Sequence, residues 1–315
     1  MERLISEIEK CRKRNKQIVY CSVVHRGAVL LDRWFEAVET GAPQPVYSVS
    51  KTVSALLIGA ALDRGLIPSV ETPVKALLPE YGALVPEDLL LKHLLTMTAG
   101  YRWPEIETFG SPRGIFRQFA AAADPVRFVL EQPREAAPGA VYAYNSGASH
   151  LLMGILRSRG EQPPDRFAQE VLWGPLGLPG FHAKWRLDGT GLPFGGHGLS
   201  LTAEGMNRLG GLLLGGGAVN GRQVVSREYL TALAAVQVEA TRGYTGYGYQ
   251  TWIGEVAGHR FHGAFGHGGQ RIYVFPALAL QVVFLGRGVT PEFGLQERLI
   301  RLGVLPELGF TEAPV

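Results

Sequence analysis

Residues 47–67 read YSVSKTVSALLIGAALDRGLI. From Ser50 to Arg64 the apolar residues Val53, Leu56, Leu57, Ala60 and Ala61 recur at helical spacing. Ala55, Ile58 and Leu62 cover much of the remaining surface. A helix this apolar all round belongs in the interior. Gly65 follows as a helix stop. The stretch therefore predicts a buried helix, and the chain on either side changes character around it.

On the N-terminal side, residues 2–16 carry Leu4, Ile5, Ile8 and Cys11 at helical spacing. Residues 17–24 (QIVYCSVV) are rich in β-branched side chains. His25-Arg26-Gly27 reads as a turn, and Ala28–Phe35 as a returning strand. On the C-terminal side, about 66 to 200 alternates short helical patterns with Pro/Gly-rich loops, and helices return near 202–215 and 226–236. Strand patterns then appear at Tyr247–Ile253, His259–Phe265, Arg271–Phe275 and Leu280–Leu285, followed by a helical Glu292–Leu302. Strands at both ends around a helical middle predict a mixed α/β fold. An antiparallel sheet flanked by helices is built from both termini (about 1–65 and 202–315), with an α-rich lobe at about 66–201 inserted within one catalytic domain spanning 1–315.

Composition narrows the functional classes. With 46% apolar and 19% charged residues, 315 positions support a sizeable core. The net charge of +3 is small, and the one basic cluster, Lys10 to Lys16, reads as a solvated helix face, so nucleic acid is not an expected partner. No run of about 18 apolar residues exists for a membrane span. Two cysteines, Cys11 and Cys21, make no disulfide framework. The charged opening MERLISEIEKCRKRNK has no apolar signal region, so a cytoplasmic location is expected. G-x-S-x-G, H-E-x-x-H, zinc-spaced Cys pairs and the P-loop are all absent, and neither cofactor nor metal is expected.

Three clusters carry candidate chemistry. Ser48-Val49-Ser50-Lys51 is an S-x-x-K at the start of the buried helix. Residues three apart share a helix face, so the Lys51 amine can reach the Ser48 hydroxyl. Helix start and burial both disfavour an ammonium there, as serine activation by a lysine base requires. The motif alone reads more readily as a serine cap followed by a surface lysine. Tyr142-Ala143-Tyr144-Asn145-Ser146-Gly147 lies between a Pro138-Gly139 turn and an apolar helix. A phenol there either shuttles a proton beside a lysine or simply packs. His267-Gly268-Gly269-Gln270 precedes a strand, whose free N–H would complete an oxyanion hole with that of Ser48; an ordinary Gly-rich strand entry has the same sequence.

In this order, the clusters resemble the serine β-lactamase and penicillin-binding-protein-like hydrolases. The likeness is to the branch holding class C β-lactamases, D-alanyl-D-alanine carboxypeptidases, family VIII esterases and 6-aminohexanoate-dimer hydrolases. Further stretches carry it: HLLTMTAG at 93–100, PGAVYAYNSGASHLLMGIL at 138–156, GPLGL at 174–178, GHGLSLTAEGMNRLG at 196–210 and GHGGQRIYVFP at 266–276. The resemblance implies Ser48 as nucleophile, Lys51 as its activator and Tyr144 as general acid/base. It implies backbone N–H groups of Ser48 and Gln270 as the oxyanion hole, and Ser146, His267, Gly268 and Gly269 as substrate-binding positions. Trp103 and Tyr249 become cleft-lining candidates by the same likeness. Two positions depart from the pattern. Ser146 stands where β-lactamases carry an amide-binding Asn, and His267 with Gly268 replaces the Lys and hydroxyl residue of K-T-G. A mostly neutral His holds a substrate carboxylate less firmly than a Lys. The expectation is an acyl-enzyme hydrolase of small esters, amides or peptides with weak or no β-lactamase activity. A β-lactamase or D-alanyl-D-alanine peptidase, and a non-turnover penicillin-binding or peptide-sensing protein, are the alternatives.

Overall fold

In the computed structural model, residues 1–13, 18–37, 41–240, 244–287 and 294–310 are described. A seven-stranded sheet dominates: β1 (Ile18–His25), β2 (Ala28–Trp34), β3 (Gly246–Tyr247), β4 (Trp252–Val256), β5 (His259–Gly266), β6 (Gln270–Phe275) and β7 (Leu280–Gly286). Its order is β2-β1-β7-β6-β5-β4-β3, and every neighbouring pair is antiparallel. The first strand pairs with the last, from Ile18↔Gly286 to His25↔Leu280, so both ends of the chain close one sheet. The hairpins β1–β2 and β4–β5 each turn on two left-handed residues, Arg26-Gly27 and Ala257-Gly258. That geometry matches the natural twist of a two-residue hairpin.

Both faces of the sheet are covered, which is why β6 (QRIYVF) and β7 (LQVVFLG) are buried along their whole length. On one face Tyr273 donates from its hydroxyl to Glu297 of the C-terminal helix Leu295–Leu299, at 2.7 Å. On the other, Gln281 donates to the Asn207 carbonyl, at 3.0 Å, in the helix Ala203–Leu214. The S-x-x-K helix, Val49–Asp63, is buried from Val49 to Ala61 and lies against β5 on its way into the helical region. There it packs on the longest helix of the middle segment, Ser146–Arg159.

Two sequence expectations are corrected. Tyr247–Ile253 is not one strand: β3 and β4 are separated at Gly248–Thr251, where Gln250 has a φ of 53°. The reason is the buried Gln250 side chain. It accepts from Ser149 Oγ at 2.7 Å and donates to the Leu94 carbonyl at 2.7 Å, while its backbone carbonyl accepts from Thr52 Oγ1 at 2.8 Å. Three helices are tied through one residue, and the strand breaks to present it. The final helix is also shorter than Glu292–Leu302, running Leu295–Leu299 before a wider π-type turn over Ile300–Val304. Glu292, like Arg14 and Lys16 of the basic cluster and Gln17 of the expected first strand, lies outside the described residues. Cys11 and Cys21 are buried free thiols. No helix among the described residues is long and apolar enough to cross a membrane.

Two buried imidazoles set an acid limit on stability. His197 and His262 are 9% and 5% exposed. Neither His197 nitrogen, nor Nε2 of His262, has a hydrogen-bond partner among the described residues. Burial pushes their pKa values down from 6.5, to about 3 and about 4. The unfolded chain therefore takes up these two protons first. Their contribution to stability is complete above pH 6.5 and is lost as pH falls toward the folded values. Between pH 6.5 and 5.5, above the carboxylate range, the unfolding free energy should fall with a limiting slope of about 1.4 kcal/mol per pH unit for each histidine. Urea unfolding at half-unit pH steps measures this, and His262→Phe should remove its share of the slope. A flat profile across that window would contradict the burial of neutral imidazoles.

Candidate active site

Ser48 sits at the N-cap of the Val49–Asp63 helix with a helical backbone (φ −71°, ψ −1°), and its side chain makes no capping hydrogen bond. The hydroxyl is thus available for other work. The preceding Tyr47 is left-handed, with φ 48°, a conformation that costs a non-glycine residue about 1–3 kcal/mol and tends to cluster at functional sites. Its carbonyl accepts from Ser50 N and Ser50 Oγ, which clamps the turn that presents Ser48.

Lys51 is 1% exposed, so it is no surface lysine. Its Nζ is surrounded by three oxygens: Ser48 Oγ at 3.1 Å, Ser146 Oγ at 2.8 Å and the Gly196 carbonyl at 2.8 Å. The amine also lies 4.7 Å from the centre of the Tyr144 ring. Tyr144 is held in place by stacking on Trp252, with centroids 5.8 Å apart and planes at 22°. The segment entering the Ser146–Arg159 helix is fixed from both sides. Asn145 Oδ1 caps the helix by accepting from Ala148 N at 2.8 Å, and Ala143 N donates to the Met97 carbonyl of the HLLTMTAG stretch at 2.8 Å. The Gly196 carbonyl reaches Lys51 because a Cβ there would collide with Ser146, so only glycine lets the two segments approach this closely.

A cavity of about 270 Å³ opens above Ser48. Its walls are mostly apolar and aromatic: Ile106, Phe109, Tyr144, Tyr244, Trp252 and Phe265. Glu105, Gly266, His267 and Arg271 complete the lining. Burial lowers the His267 pKa, and Arg271 lowers it further, so this imidazole is neutral at pH 7. It is packed between the rings of Tyr47 and Phe109. Arg271 is 8% exposed; its Nη1 donates to the carbonyls of Gly266 and Gln270, and its guanidinium lies 4.8 Å from the Phe265 ring. β4 pairs with β5 only as far as Trp252↔Gly263. The edge of β5 from Ala264 to Gly266 is therefore left without a neighbouring strand, beside the Ser48 turn. Among the described residues no group of three or more His, Cys, Asp or Glu side chains is arranged to hold a metal ion.

The Beta-lactamase family model matches residues 4–305. The chain belongs to the Beta-lactamase family. Within it, the chain is a serine hydrolase. It is 26% identical over 309 residues to a 6-aminohexanoate-dimer hydrolase of Paenarthrobacter ureafaciens, a match covering 88% of this chain and 76% of that one. Among solved structures, the octameric penicillin-binding protein homologue from Pyrococcus abyssi superposes with a TM-score of 0.76 at 20% identity, covering 98% of this chain and 77% of that one. A family VIII carboxylesterase superposes with a TM-score of 0.73 at 15% identity, covering 95% of each chain. These two show that the β-lactamase-like fold is shared.

Against that family pattern, several residues stand elsewhere than the resemblance implied. Ser146 does not line the cavity: it is 1% exposed, with its N–H and hydroxyl both bonded to Glu105 and its oxygen against Lys51. Gly268 and Gly269, with φ of 75° and 94°, form the turn between β5 and β6. Gln270 pairs with Gly266 across that turn, and its side chain donates to the Gly286 carbonyl at 2.6 Å. It lies one strand inward of the cavity edge. Trp103 and Tyr249, at 5% and 7% exposed, are core aromatics packed on Phe119 and Tyr229. Ser48, Lys51, Tyr144 and His267 do come together. Glu105 escaped the sequence reading, because a Glu in a Pro/Arg-containing loop looks solvated and no periodicity marks it as buried.

The contact between β5 and the Ser48 turn rests on Gly266. A Cβ at this position would collide with the Val46 carbonyl, backbone against backbone. Gly266→Ala should therefore displace the strand edge or the Ser48 turn and lower kcat/KM for ester hydrolysis at least about tenfold, as small misplacements at a reacting centre do. The circular-dichroism spectrum should keep its native shape. Wild-type kcat/KM in this variant would show that the two segments are not coupled.

Proposed function

We propose that the protein hydrolyses small, uncharged esters and amides through an acyl-enzyme on Ser48. The observation that carries this reading is the buried Lys51 amine, 3.1 Å from the Oγ of Ser48, which itself lines an aromatic-walled cavity. In this scheme Ser48 Oγ attacks the acyl carbon as its proton passes to Lys51 Nζ. The oxyanion is met by the Ser48 N–H and by an N–H from the open edge of β5 over Ala264–Gly266, rather than by Gln270. Tyr144 protonates the leaving oxygen or nitrogen and is reprotonated from Lys51. Water then attacks the acyl-enzyme by the reverse route, giving up its proton and restoring the Ser48 hydroxyl.

The walls favour neutral acyl groups, since six of the lining side chains are apolar or aromatic and His267 is neutral. Arg271 favours a second reading, a linear amide carrying a carboxylate, which is also in keeping with the name of the Paenarthrobacter relative. Its Nη1 is already committed to backbone carbonyls, which ranks this reading second.

A fluorophosphonate probe followed by peptide mass spectrometry should place the adduct on Ser48, and Ser48→Ala should abolish both labelling and turnover. An adduct on another serine would refute the nucleophile. On one preparation, kcat/KM for p-nitrophenyl butyrate should exceed that for a chromogenic cephalosporin by about a hundredfold. The cephalosporin loses a charge-assisted contact to its carboxylate and a neutral one to its amide, at roughly 1.5–3 and about 1 kcal/mol. A higher value for the cephalosporin would move the protein to the β-lactamases. Faster turnover of a carboxylate-bearing linear amide than of the butyrate ester would favour the second reading.

A further inference from the structure

Glu105 is a buried carboxylate, 5% exposed, at the inner end of the cavity. Among the described residues no cation lies within ion-pair distance of it. Its two oxygens instead take three hydrogen bonds: Trp103 Nε1 and Ser146 N donate to Oε2, each at 2.7 Å, and Ser146 Oγ donates to Oε1 at 2.6 Å. A carboxylate only accepts, so the single hydroxyl proton of Ser146 is spent on it. Ser146 Oγ can then only accept from Lys51 Nζ, at 2.8 Å. The Gly196 carbonyl, also at 2.8 Å, can only accept as well. A neutral amine has two N–H bonds and one lone pair. With both N–H bonds committed to these acceptors, the lone pair is left facing the third neighbour, Ser48 Oγ.

We propose that Glu105 is a positioning residue for catalysis: by fixing Ser146 as an acceptor it aims the Lys51 lone pair at Ser48. Its negative charge, relayed through the Ser146 hydroxyl, stabilises the ammonium that forms when Lys51 takes the Ser48 proton. No proton reaches Glu105. One O–H bond breaks at Ser48, one N–H bond forms at Lys51, and the carboxylate remains a carboxylate throughout. The role parallels that of the aspartate behind the histidine in a serine–histidine–aspartate triad, with a hydroxyl interposed. The inference rests on Ser48 and Lys51 acting as proposed above.

The other groups that face or surround Lys51 are Tyr144 through its ring, His197 from the 192–198 loop, and His267 and Arg271 across the cavity. His197 is neutral in the catalytic pH range, and none of these touches Glu105 by hydrogen bond. A change at Glu105 reaches Lys51 through the Ser146 hydroxyl.

Glu105→Gln keeps the shape and reverses one hydrogen bond. The amide oxygen must stay with the two N–H donors, Trp103 Nε1 and Ser146 N, which turns the amide NH₂ toward Ser146 Oγ. Ser146 then accepts from Gln, and its own proton is free to compete for the Lys51 lone pair. The expected result is a fall of at least about tenfold in kcat/KM for p-nitrophenyl butyrate. The acid limb of the kcat/KM–pH profile should also move to lower pH, the direction expected when a negative charge is taken out of a site that must accept a proton. The double variant with Ser146→Ala should be no worse than Ser146→Ala alone, since Glu105 acts through that hydroxyl. An activity loss with an unmoved acid limb, or losses that multiply in the double variant, would reduce Glu105 to a packing role and overturn the proposal. If Glu105→Gln does not fold, Ser146→Ala alone must lower kcat/KM at least about tenfold, and a wild-type value there overturns the proposal equally. Failure of the Ser48 reading gives a different signature: turnover and probe labelling that survive Ser48→Ala, whatever Glu105→Gln does.

Discussion

The structure depends on keeping one lysine amine out of water. Removing an amine from solvent costs several kcal/mol unless its hydrogen bonds are replaced. Here all three are replaced, by Ser48, Ser146 and Gly196. These partners come from separate parts of the chain: the start of one buried helix, the start of another, and a loop about 50 residues further on. Correct docking of all three segments is thus a condition for burying Lys51 at all. The arrangement also sets the chemistry, because an amine held between obligate acceptors has its lone pair directed by its surroundings instead of by free rotation.

The loop that supplies the Gly196 carbonyl is held by a second buried pair. Asp188 accepts from the N–H groups of Thr190 and Leu192, at 2.7 and 2.9 Å, and meets His150 Nε2 at 3.1 Å. His150 Nδ1 in turn accepts from Gly195 N at 3.4 Å. Burial lowers the His150 pKa and Asp188 partly opposes it. The neutral tautomer with its proton on Nε2 satisfies both contacts at once. One imidazole thus joins the Ser146–Arg159 helix to the loop, and the same helix begins at Ser146. The two acceptors that flank Lys51 are held in mutual register by a pair that never touches it.

How much of this was legible in the sequence follows from what periodicity encodes. The S-x-x-K helix was readable because its apolar residues cover nearly every side, whereas the motif alone placed Lys51 more readily on the surface than inside. The first hairpin was readable from the β-branched run before the His25-Arg26-Gly27 turn and the returning strand after it. Strand alternation shows which face a residue takes but not where a strand breaks, so the Gln250 plug inside Tyr247–Ile253 was invisible. Position in a motif also does not tell which way a side chain turns. Ser146 occupies a substrate-binding position by resemblance, but the carboxylate of Glu105 draws it inward. His267-Gly268-Gly269-Gln270 was read as strand entry beside the substrate, whereas only His267 reaches the cavity and the two glycines make the turn. The aromatic wall drew on Ile106, Phe109 and Tyr244, loop residues whose convergence is a property of the tertiary fold alone.

The resulting site has two unlike ends. Below Ser48 a buried chain of paired polar atoms runs from Trp103 Nε1 through Glu105 and Ser146 to Lys51. Above it the walls are mostly rings and aliphatic chains, and the one cation among the described lining residues, Arg271, is tied back to backbone carbonyls. In the proposed scheme, charge that develops at Ser48 meets fixed dipoles in a region of low dielectric, where they act strongly and need no reorganisation. Charge carried by a substrate on the opposite side meets little that is free to pair with it. On that scheme, discrimination comes from the cost of desolvating a charged substrate in the upper cavity, while rate comes from the hydrogen-bond chain beneath. Because the two functions occupy opposite sides of Ser48, substitutions at Ile106 or Phe109, away from Tyr144 and the Trp252 ring that holds it, can change which acyl groups enter without disturbing the hydrogen-bond chain beneath.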